Sequence, residues 1–148
     1  MSAPDDPRAY PGRPYLAVSA AIVRDGKVLV VRRARQPAQG IYTLPGGAVE
    51  TGETLTQAVM REVREETALT IEPVALAGHR EVIVRDGDNR VSRHFVVLCF
   101  ASRWIAGEPV LSEELSEANW LHPHELAGLK TTEGLAEIVA AAFERLRS

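Results

Sequence analysis

Glu62, Glu65 and Glu66 are the residues of this chain whose spacing most clearly suggests chemistry. On a helix, positions i, i+3 and i+4 are neighbours, so the three carboxylates would lie on one side. Like charges at that separation repel one another and do not stabilise a helix in water. A cation would remove the repulsion, and ligands that are all oxygen favour a hard divalent ion such as Mg²⁺ or Mn²⁺. The spacing therefore predicts a metal site.

The direction in which these acids point separates a site from an acidic surface. Four apolar residues recur at helical spacing in the same stretch: Leu55, Ala58, Val59 and Val63. At about 100° per residue, Glu62 and Glu66 fall within roughly 20–40° of the centre of that apolar stripe, and Glu65 lies at its edge. The alternative interpretation is a solvated face that only keeps the helix soluble, and the inward direction of Glu62 and Glu66 disfavours it.

Local signals indicate how the chain positions the acids. Thr54 is a suitable N-cap with Gln57 three residues later, so we expect the helix to begin near Thr54 and to end near Thr67. Just before it, the segment 44–47 (Leu-Pro-Gly-Gly) is predicted to turn the chain sharply beside the acids. Its glycines permit close approaches that a side chain would prevent.

The rest of the chain reads as strands followed by a covering helix. Four strand candidates are rich in β-branched residues: Leu16–Val23, Val28–Arg33, Val74–Val84 and Val91–Trp104. Short turns at 25–26 and 86–89 join them in pairs as hairpins. The segments 34–42 and 105–117 are predicted loops, and 119–121 is a short strand candidate. From Leu135 to Leu146, apolar residues recur with helical period, which predicts an amphipathic helix on a sheet.

Bulk properties limit the class of protein. The chain has 148 residues, which suits one domain over 15–148 after a flexible, proline-rich tail at 1–14. Its net charge of −3 disfavours a polymeric nucleic acid as partner. Cys99 is the single cysteine, so it forms no intrachain disulfide and is interpreted as a small core residue rather than a nucleophile. Without a long apolar run or a secretory h-region, we expect no membrane association and a cytoplasmic location.

The stretch from Gly47 to Leu69 resembles the signature of the Nudix hydrolases, G-x5-E-x7-R-E-U-x-E-E-x-G-U, where U is a bulky aliphatic residue. The matching residues are Gly47, Glu53, Arg61, Glu62, Val63, Glu65, Glu66 and Leu69. Ala68 stands where the pattern has glycine. A left-handed residue at the end of the helix would cost alanine roughly 1 kcal/mol, unless the helix runs one residue further.

The resemblance, which extends over about 15–147, implies both a fold and an activity. The fold would be α/β (α+β), an αβα sandwich with a mixed, mostly antiparallel sheet between helices. The activity would be metal-dependent hydrolysis, with Mg²⁺ or Mn²⁺, of the diphosphate linkage in a nucleoside diphosphate joined to a moiety X, such as ADP-ribose or a nucleotide sugar. Alternatives are a MutT-like pyrophosphatase that cleans nucleoside triphosphate pools, and a nucleotide-sensing module without turnover. Family members often form homodimers.

By resemblance, the metal ligands are Glu62, Glu65 and Glu66, with the backbone carbonyl of Gly46 as an addition. Glu62 is open to a role as ligand, general base or both. Arg61 and Glu53 belong to the same pattern and would orient the ligands, the alternative for Arg61 being an exposed salt bridge.

A general base in this family can also come from outside the signature. The acidic loop before Trp120 offers Glu113, Glu114 and Glu117, and its spacing to the 119–121 strand favours Glu114. The alternative is a solvated loop acid.

Substrate contacts are predicted on both sides of the loop 34–42. Arg32, Arg33 and Arg35 lie near the catalytic turn and could bind a phosphate, or serve only as surface charges. Gly47 would allow close approach of the substrate. Tyr42 could stack on a base, although packing in the core is the more ordinary use of tyrosine.

Overall fold

The strands of this protein carry apolar residues on both faces, and these divide between two separate cores. In β1 (Tyr15–Arg24), Val18, Ala20 and Ile22 belong to one buried cluster. Ala21, which alternates with them, belongs to the other. Because successive side chains of a strand point to opposite faces, the sheet is covered on both sides.

The computed structural model describes residues 7–147. After β1 come β2 (Lys27–Arg33), β3 (Tyr42–Thr43), β4 (Gly46–Ala48), α1 (Leu55–Thr67), β5 (Thr70–Arg85), β6 (Val91–Ala106), β7 (Leu115–Leu121), a 3-10 turn (Pro123–Leu126) and α2 (Leu135–Leu146).

Each helix covers one face of the sheet. Ala58, Val59 and Val63 of α1 pack in the first core, and Leu135 and Val139 of α2 pack in the second. The sheet runs in the order β3-β2-β1-β6-β5, with β4 beside β1 and β7 beside β2. β1 and β6 are parallel, and the other pairs are antiparallel. The predicted αβα sandwich with a mixed, mostly antiparallel sheet is confirmed.

Local capping chemistry sets the ends of α1. Thr54 accepts a hydrogen bond from the Gln57 N–H, and the Gln57 side chain accepts one from the Thr54 N–H, which completes the predicted capping box. At the other end, Ala68 is left-handed (φ 63°) and its N–H bonds the Arg64 carbonyl. The helix therefore ends where the signature glycine would end it, although the residue is alanine.

Pairing over long sequence distances changed some predicted boundaries. The expected turn at 44–47 is in part the short strand β4, whose Gly46 and Gly47 pair with Ser19 and Val18. The predicted loop 105–117 is shorter, because β6 continues to Ala106 and β7 begins at Leu115. The predicted strand at 119–121 is the end of β7, whereas β4 and the acidic beginning of β7 carry no local strand signal.

The beginning of the described chain contacts the tip of the β5–β6 hairpin. The Tyr10 hydroxyl donates to Asp86 Oδ2 at 2.8 Å, and its N–H donates to the Ser92 carbonyl. Of the predicted flexible tail, residues 1–6 lie outside the described residues; the tail and the single domain over 15–148 stay predictions. Within residues 7–147, no helix is long and apolar enough to cross a membrane.

Candidate active site

The acids of α1 open onto a cleft of about 740 Å³. The helix buries Val59, Val63 and the neighbouring apolar residues, which turns the adjacent carboxylates of Glu62 and Glu66 toward the sheet. The Glu62 side chain is only 15% exposed, whereas that of Glu65 is 59% exposed. All three acids line the cleft. The wheel prediction, with two inward acids and one at the edge, is confirmed by this burial.

Two glycines allow β4 to lie against both the sheet and the acids. A side chain on Gly46 would collide with the Val18 carbonyl, and one on Gly47 would collide with the Glu62 carboxylate. The Gly46 N–H donates to Glu66 Oε1 at 2.9 Å. Glycine at these positions is therefore required by packing, and the acids and the backbone of β4 form one wall of the cleft.

Arg61 stabilises this wall by hydrogen bonds to four residues. Its Nε and Nη2 donate to the two oxygens of Glu53, at 2.6 and 2.8 Å, and Nη2 also donates to the Ala48 carbonyl at 3.0 Å. Nη1 donates to Glu62 Oε1 at 2.9 Å and approaches Glu65 at 3.3 Å. Since the Arg61 side chain is only 23% exposed, this bidentate arrangement differs from a solvated surface pair.

The same contacts set the charge of Glu53. The Arg61 guanidinium lowers the pKa of Glu53 to about 2, with help from the backbone N–H of Glu50. Glu53 in turn raises the pKa of Arg61. Both groups are thus firmly ionised at neutral pH, and Glu53 fixes the orientation of the arginine that contacts Glu62.

Unlike Glu53, Glu62 and Glu66 have raised pKa values, which means that the protein disfavours their ionised forms. Burial raises the pKa of Glu62, although the hydrogen bond from Arg61 opposes the shift. Burial also raises the pKa of Glu66 to about 7; the charges of Glu62 and Glu114 act in the same direction, and the Gly46 N–H and Arg33 oppose them. The wall therefore concentrates negative charge that its own cations do not neutralise.

The donors suit a hard cation in chemistry, but they do not form a finished chelate. Among residues 7–147, no three acidic, histidine or cysteine side chains converge closely enough to hold a metal ion. Glu62 and Glu65 turn toward Arg61, and Glu66 turns toward Gly46. Oxygen donors and concentrated negative charge are what a hard divalent cation requires, so these side chains fit such an ion in chemistry.

The structure separates the three loop acids that the sequence left as alternatives. Glu113 pairs with Arg35 at 2.9 Å on the exposed surface. Glu117 accepts from Arg32 at 2.9 Å. Glu114 lines the cleft and contributes to the raised pKa of Glu66. Of these three, only Glu114 faces the acids of α1.

The residues predicted to contact substrate divide in the same way. Arg33 lines the cleft and donates through Nε to the Pro37 carbonyl. Arg32 and the Tyr42 hydroxyl both bond Glu117, and neither is among the residues that line the cleft. Arg35 is likewise engaged elsewhere, by Glu113.

The sequence reading did not identify the floor of the cleft. Three cross-strand pairs of β5 and β6 form it: Arg80–Val97, Val82–Phe95 and Val84–Arg93. Arg8, from the segment beside Tyr10, also lines the cleft. Arg80, Val82 and Val84 alternate on one face, and the predicted hairpin gave the partner strand, but neither gave the register or showed that this face lines the cleft. The cleft thus joins an acidic wall to an apolar floor edged by arginines.

Comparison with known proteins places these features in context. Residues 13–142 match the model of the NUDIX domain. An ADP-ribose pyrophosphatase of Methanocaldococcus jannaschii is 34% identical over 116 residues, which are 78% of this chain and 66% of that protein. A MutT-like protein of Streptomyces ambofaciens is 31% identical over 95% of this chain and 80% of its own length.

The fold comparison agrees with the sequence comparison. The crystal structure of a MutT NUDIX hydrolase from Burkholderia pseudomallei superposes with a TM-score of 0.71 at 29% identity. The match covers 91% of this chain and 99% of that one.

Proposed function

The chain belongs to the Nudix family, which confirms the resemblance seen in the sequence, and on that premise we propose that it hydrolyses ADP-ribose or a related nucleotide sugar with the help of a divalent metal ion. It is a pyrophosphohydrolase that acts on nucleoside diphosphate-linked substrates. Members of the family generally use divalent metals. The finer assignment, of substrate and of residues, is the proposal.

The observation that carries the proposal is that acidic and basic side chains line the same cleft. Glu62 and Glu66 present carboxylates whose pKa values burial raises, and Arg33 and Arg80 line the same cleft. A diphosphate bound with a cation carries both a positive centre and negative oxygens. Such a ligand neutralises both sets of charges, which a neutral substrate would not do.

Glu62, Glu65 and Glu66, with the Gly46 carbonyl, would hold the metal. When bound, the metal supplies charge neutralisation of the diphosphate and lowers the pKa of water for attack. Arg61, which bonds both Glu62 and Glu65, would orient these two ligands.

Other residues of the cleft would handle the proton and the substrate. Glu53 and the Ala48 carbonyl hold Arg61 in place. Glu114, which lines the same cleft, would accept a proton from the attacking water. Arg33 would contact phosphate oxygens, and Gly47, which has no side chain, would let the substrate approach the backbone beside Glu62.

ADP-ribose is the favoured substrate on two grounds. The relative from Methanocaldococcus jannaschii carries that activity in its name. The cleft floor also offers Phe95 and Val82 as an apolar surface, which suits the flat face of a base or the ring of a sugar.

The second candidate is a nucleoside triphosphate pyrophosphatase. The MutT-like relative from Streptomyces ambofaciens supports it by name. A sensing module without turnover is less well supported, because Glu62, Glu65 and Glu66 are all present and all line the cleft.

A substrate panel with Mg²⁺, repeated with Mn²⁺, tests the proposal. ADP-ribose, nucleotide sugars, NADH, diadenosine polyphosphates, and normal and oxidised nucleoside triphosphates are compared by coupled release of phosphate. We expect ADP-ribose or a nucleotide sugar to give the highest kcat/KM. A preference for triphosphates with release of pyrophosphate would favour the second candidate. No turnover with either metal would refute the hydrolase proposal.

Two further proposals concern the setting of the enzyme. The cytoplasmic location stays a prediction from the sequence. A homodimer rests on the family resemblance alone, and gel filtration with light scattering would test it.

A further inference from the structure

Arg80 occupies an unusual position for an arginine. It lies within β5, opposite Val97 of β6, in a row whose next pair is Val82 and Phe95. These side chains point into the cleft rather than into water around the molecule. The guanidinium is therefore part of the cleft floor, half-buried beside an apolar surface.

The Arg80 side chain has no partner in the described part of the chain, where it makes no hydrogen bond or ion pair. Burial lowers its pKa, and the nearby charge of Arg33 acts in the same direction. The charge of Glu133 opposes the shift, but no salt bridge joins Glu133 to Arg80 among residues 7–147. A guanidinium carries five N–H donors, and partial burial without acceptors costs free energy that an anion would recover.

Arg33 lies near both Arg80 and the acidic wall. The charge of Arg33 affects both Glu66 and Arg80, so it lies within electrostatic reach of both. Arg33 and Arg80 line one cleft, and each positive charge destabilises the other. An anion bound between them would relieve this repulsion. The arrangement suits an anion with several acceptor oxygens that binds next to the metal-binding acids.

We propose that Arg80, together with Arg33, binds a phosphate of the substrate next to the one that the metal engages. This proposal rests on the proposed function and names the residue that holds the second phosphate. A tetrahedral phosphate offers acceptors to two guanidiniums at once, which a single carboxylate does less well. Arg80 is then a substrate-binding residue that sets affinity, and it takes no part in proton transfer.

Direct binding of inorganic phosphate tests the proposal without turnover. Sodium phosphate is titrated into the full chain in EDTA at constant ionic strength, and the arginine Nε–Hε resonances are followed by NMR. We expect the Arg80 resonance to shift saturably. We also expect Arg80→Gln to weaken binding roughly ten- to hundredfold, the range for lost hydrogen bonds to a charged group.

Matched variants exclude a general loss of positive charge. Arg85 lies on the same strand, outside the cleft lining, and donates to the Asn89 carbonyl. Arg85→Gln is expected to bind phosphate as the wild type does. Arg80→Lys keeps the charge without the planar fork, so it is expected to bind with intermediate affinity and serves if Arg80→Gln fails to fold.

A purely structural role predicts a different pattern. If Arg80 only balanced the charge of Glu133, Glu133→Gln would destabilise the fold as Arg80→Gln does, and neither variant would change phosphate affinity. We expect Glu133→Gln to bind phosphate at least as tightly as the wild type. An unchanged affinity in Arg80→Gln, or no saturable shift of Arg80 in the wild type, would overturn the proposal.

Turnover gives a second readout with the best substrate of the panel. Arg80→Gln is expected to raise KM by about the same factor as it weakens phosphate binding, with kcat within about threefold of the wild type. A lower kcat at unchanged KM would contradict a binding role. A silent panel would refute the hydrolase proposal, whereas the phosphate titration would still decide the role of Arg80.

Discussion

Replacing Glu66 by glutamine tests whether its buried carboxylate binds a cation. The Glu66 carboxylate accepts one hydrogen bond, from the Gly46 N–H at 2.9 Å. A glutamine side chain has nearly the same shape, and its amide oxygen can accept the same bond. The substitution therefore changes the charge of the site far more than its contacts.

The size of the effect follows from the pKa of Glu66, which burial raises to about 7 from an ordinary 4.5. At about 1.36 kcal/mol per pKa unit, this corresponds to roughly 3 kcal/mol. Because the folded-state pKa is raised, the protonated acid favours the fold below pH 4.5, and that stabilisation is lost as the pH rises toward 7. Above pH 7, without metal, the ionised carboxylate leaves the wild type less stable than Glu66→Gln by up to about 3 kcal/mol.

Urea unfolding at pH 5 and pH 8, in EDTA and in millimolar Mg²⁺, measures the effect. We expect Glu66→Gln to be the more stable protein in EDTA at pH 8, with a smaller difference at pH 5. Mg²⁺ should stabilise the wild type, and more strongly at pH 8, because protons compete with the metal for Glu66. The variant should lose most of this gain, and its turnover should fall at least about a hundredfold.

The control is Glu137→Gln, which removes an exposed glutamate of α2 and should change neither the pH dependence nor the response to Mg²⁺. Two results would refute the reasoning. One is a Glu66→Gln protein that is less stable than the wild type in EDTA at pH 8. The other is undiminished turnover with an unchanged circular dichroism spectrum.

Three further substitutions test the scaffold around the site. Arg61→Lys loses the bidentate bond to Glu53, so we expect a lower urea midpoint than that of the wild type at pH 7. Since the pKa of Glu53 is lowered to about 2, the wild type should lose this advantage as the pH falls from 4.5 toward 2. Equal midpoints at pH 7 would contradict the role of Arg61. Ala68→Gly removes the strain of an alanine in the left-handed conformation, so it should raise Tm by roughly 2–4 °C without changing kcat/KM. A lower Tm would mean that Ala68 is not strained. Tyr10→Ala removes the side-chain contacts with the hairpin tip, so trypsin should cleave after Arg8 several-fold faster at nearly constant Tm. An unchanged cleavage rate would show that these side-chain contacts do not hold the segment.

The parts of the fold that the sequence predicts well are those set by neighbours along the chain. The beginning of α1 depends on Thr54 and Gln57, which are three residues apart. Its inner face depends on apolar residues that recur every three or four positions. Strands β4 and β7 depend instead on partners far away in the sequence. Leu115 begins β7 opposite Arg33, and the acidic segment before the predicted strand at 119–121 gives no local indication of that beginning.

The same distinction explains which site residues could be found. The metal-binding candidates share one helix, so their proximity follows from helix geometry alone. Arg32 and Arg33 are adjacent in sequence, yet Arg32 bonds Glu117 while Arg33 lines the cleft. A register shift between them in the β2–β7 pairing adds to the ordinary alternation of a strand. Composition identified an arginine cluster, but only the sheet decides which member faces the substrate.

Arg80 shows why the cleft floor was harder still. The β5–β6 pairing shifts register between Pro73 and Ala75 and again between Leu76 and Gly78. Each shift changes which face the following residues occupy, so alternation counted from the start of β5 does not give the side on which Arg80 emerges.

Glu66 and Arg80 carry opposite charges and line the same cleft, and the pKa of each is shifted against its ionised form. For both, burial is the dominant cause of the shift, and it outweighs the opposite charges nearby. A protein selected only for stability would pair such groups or place them in water. Keeping them buried and apart makes sense if a ligand with a positive centre and several negative oxygens binds between them, and a metal–diphosphate complex has that distribution of charge.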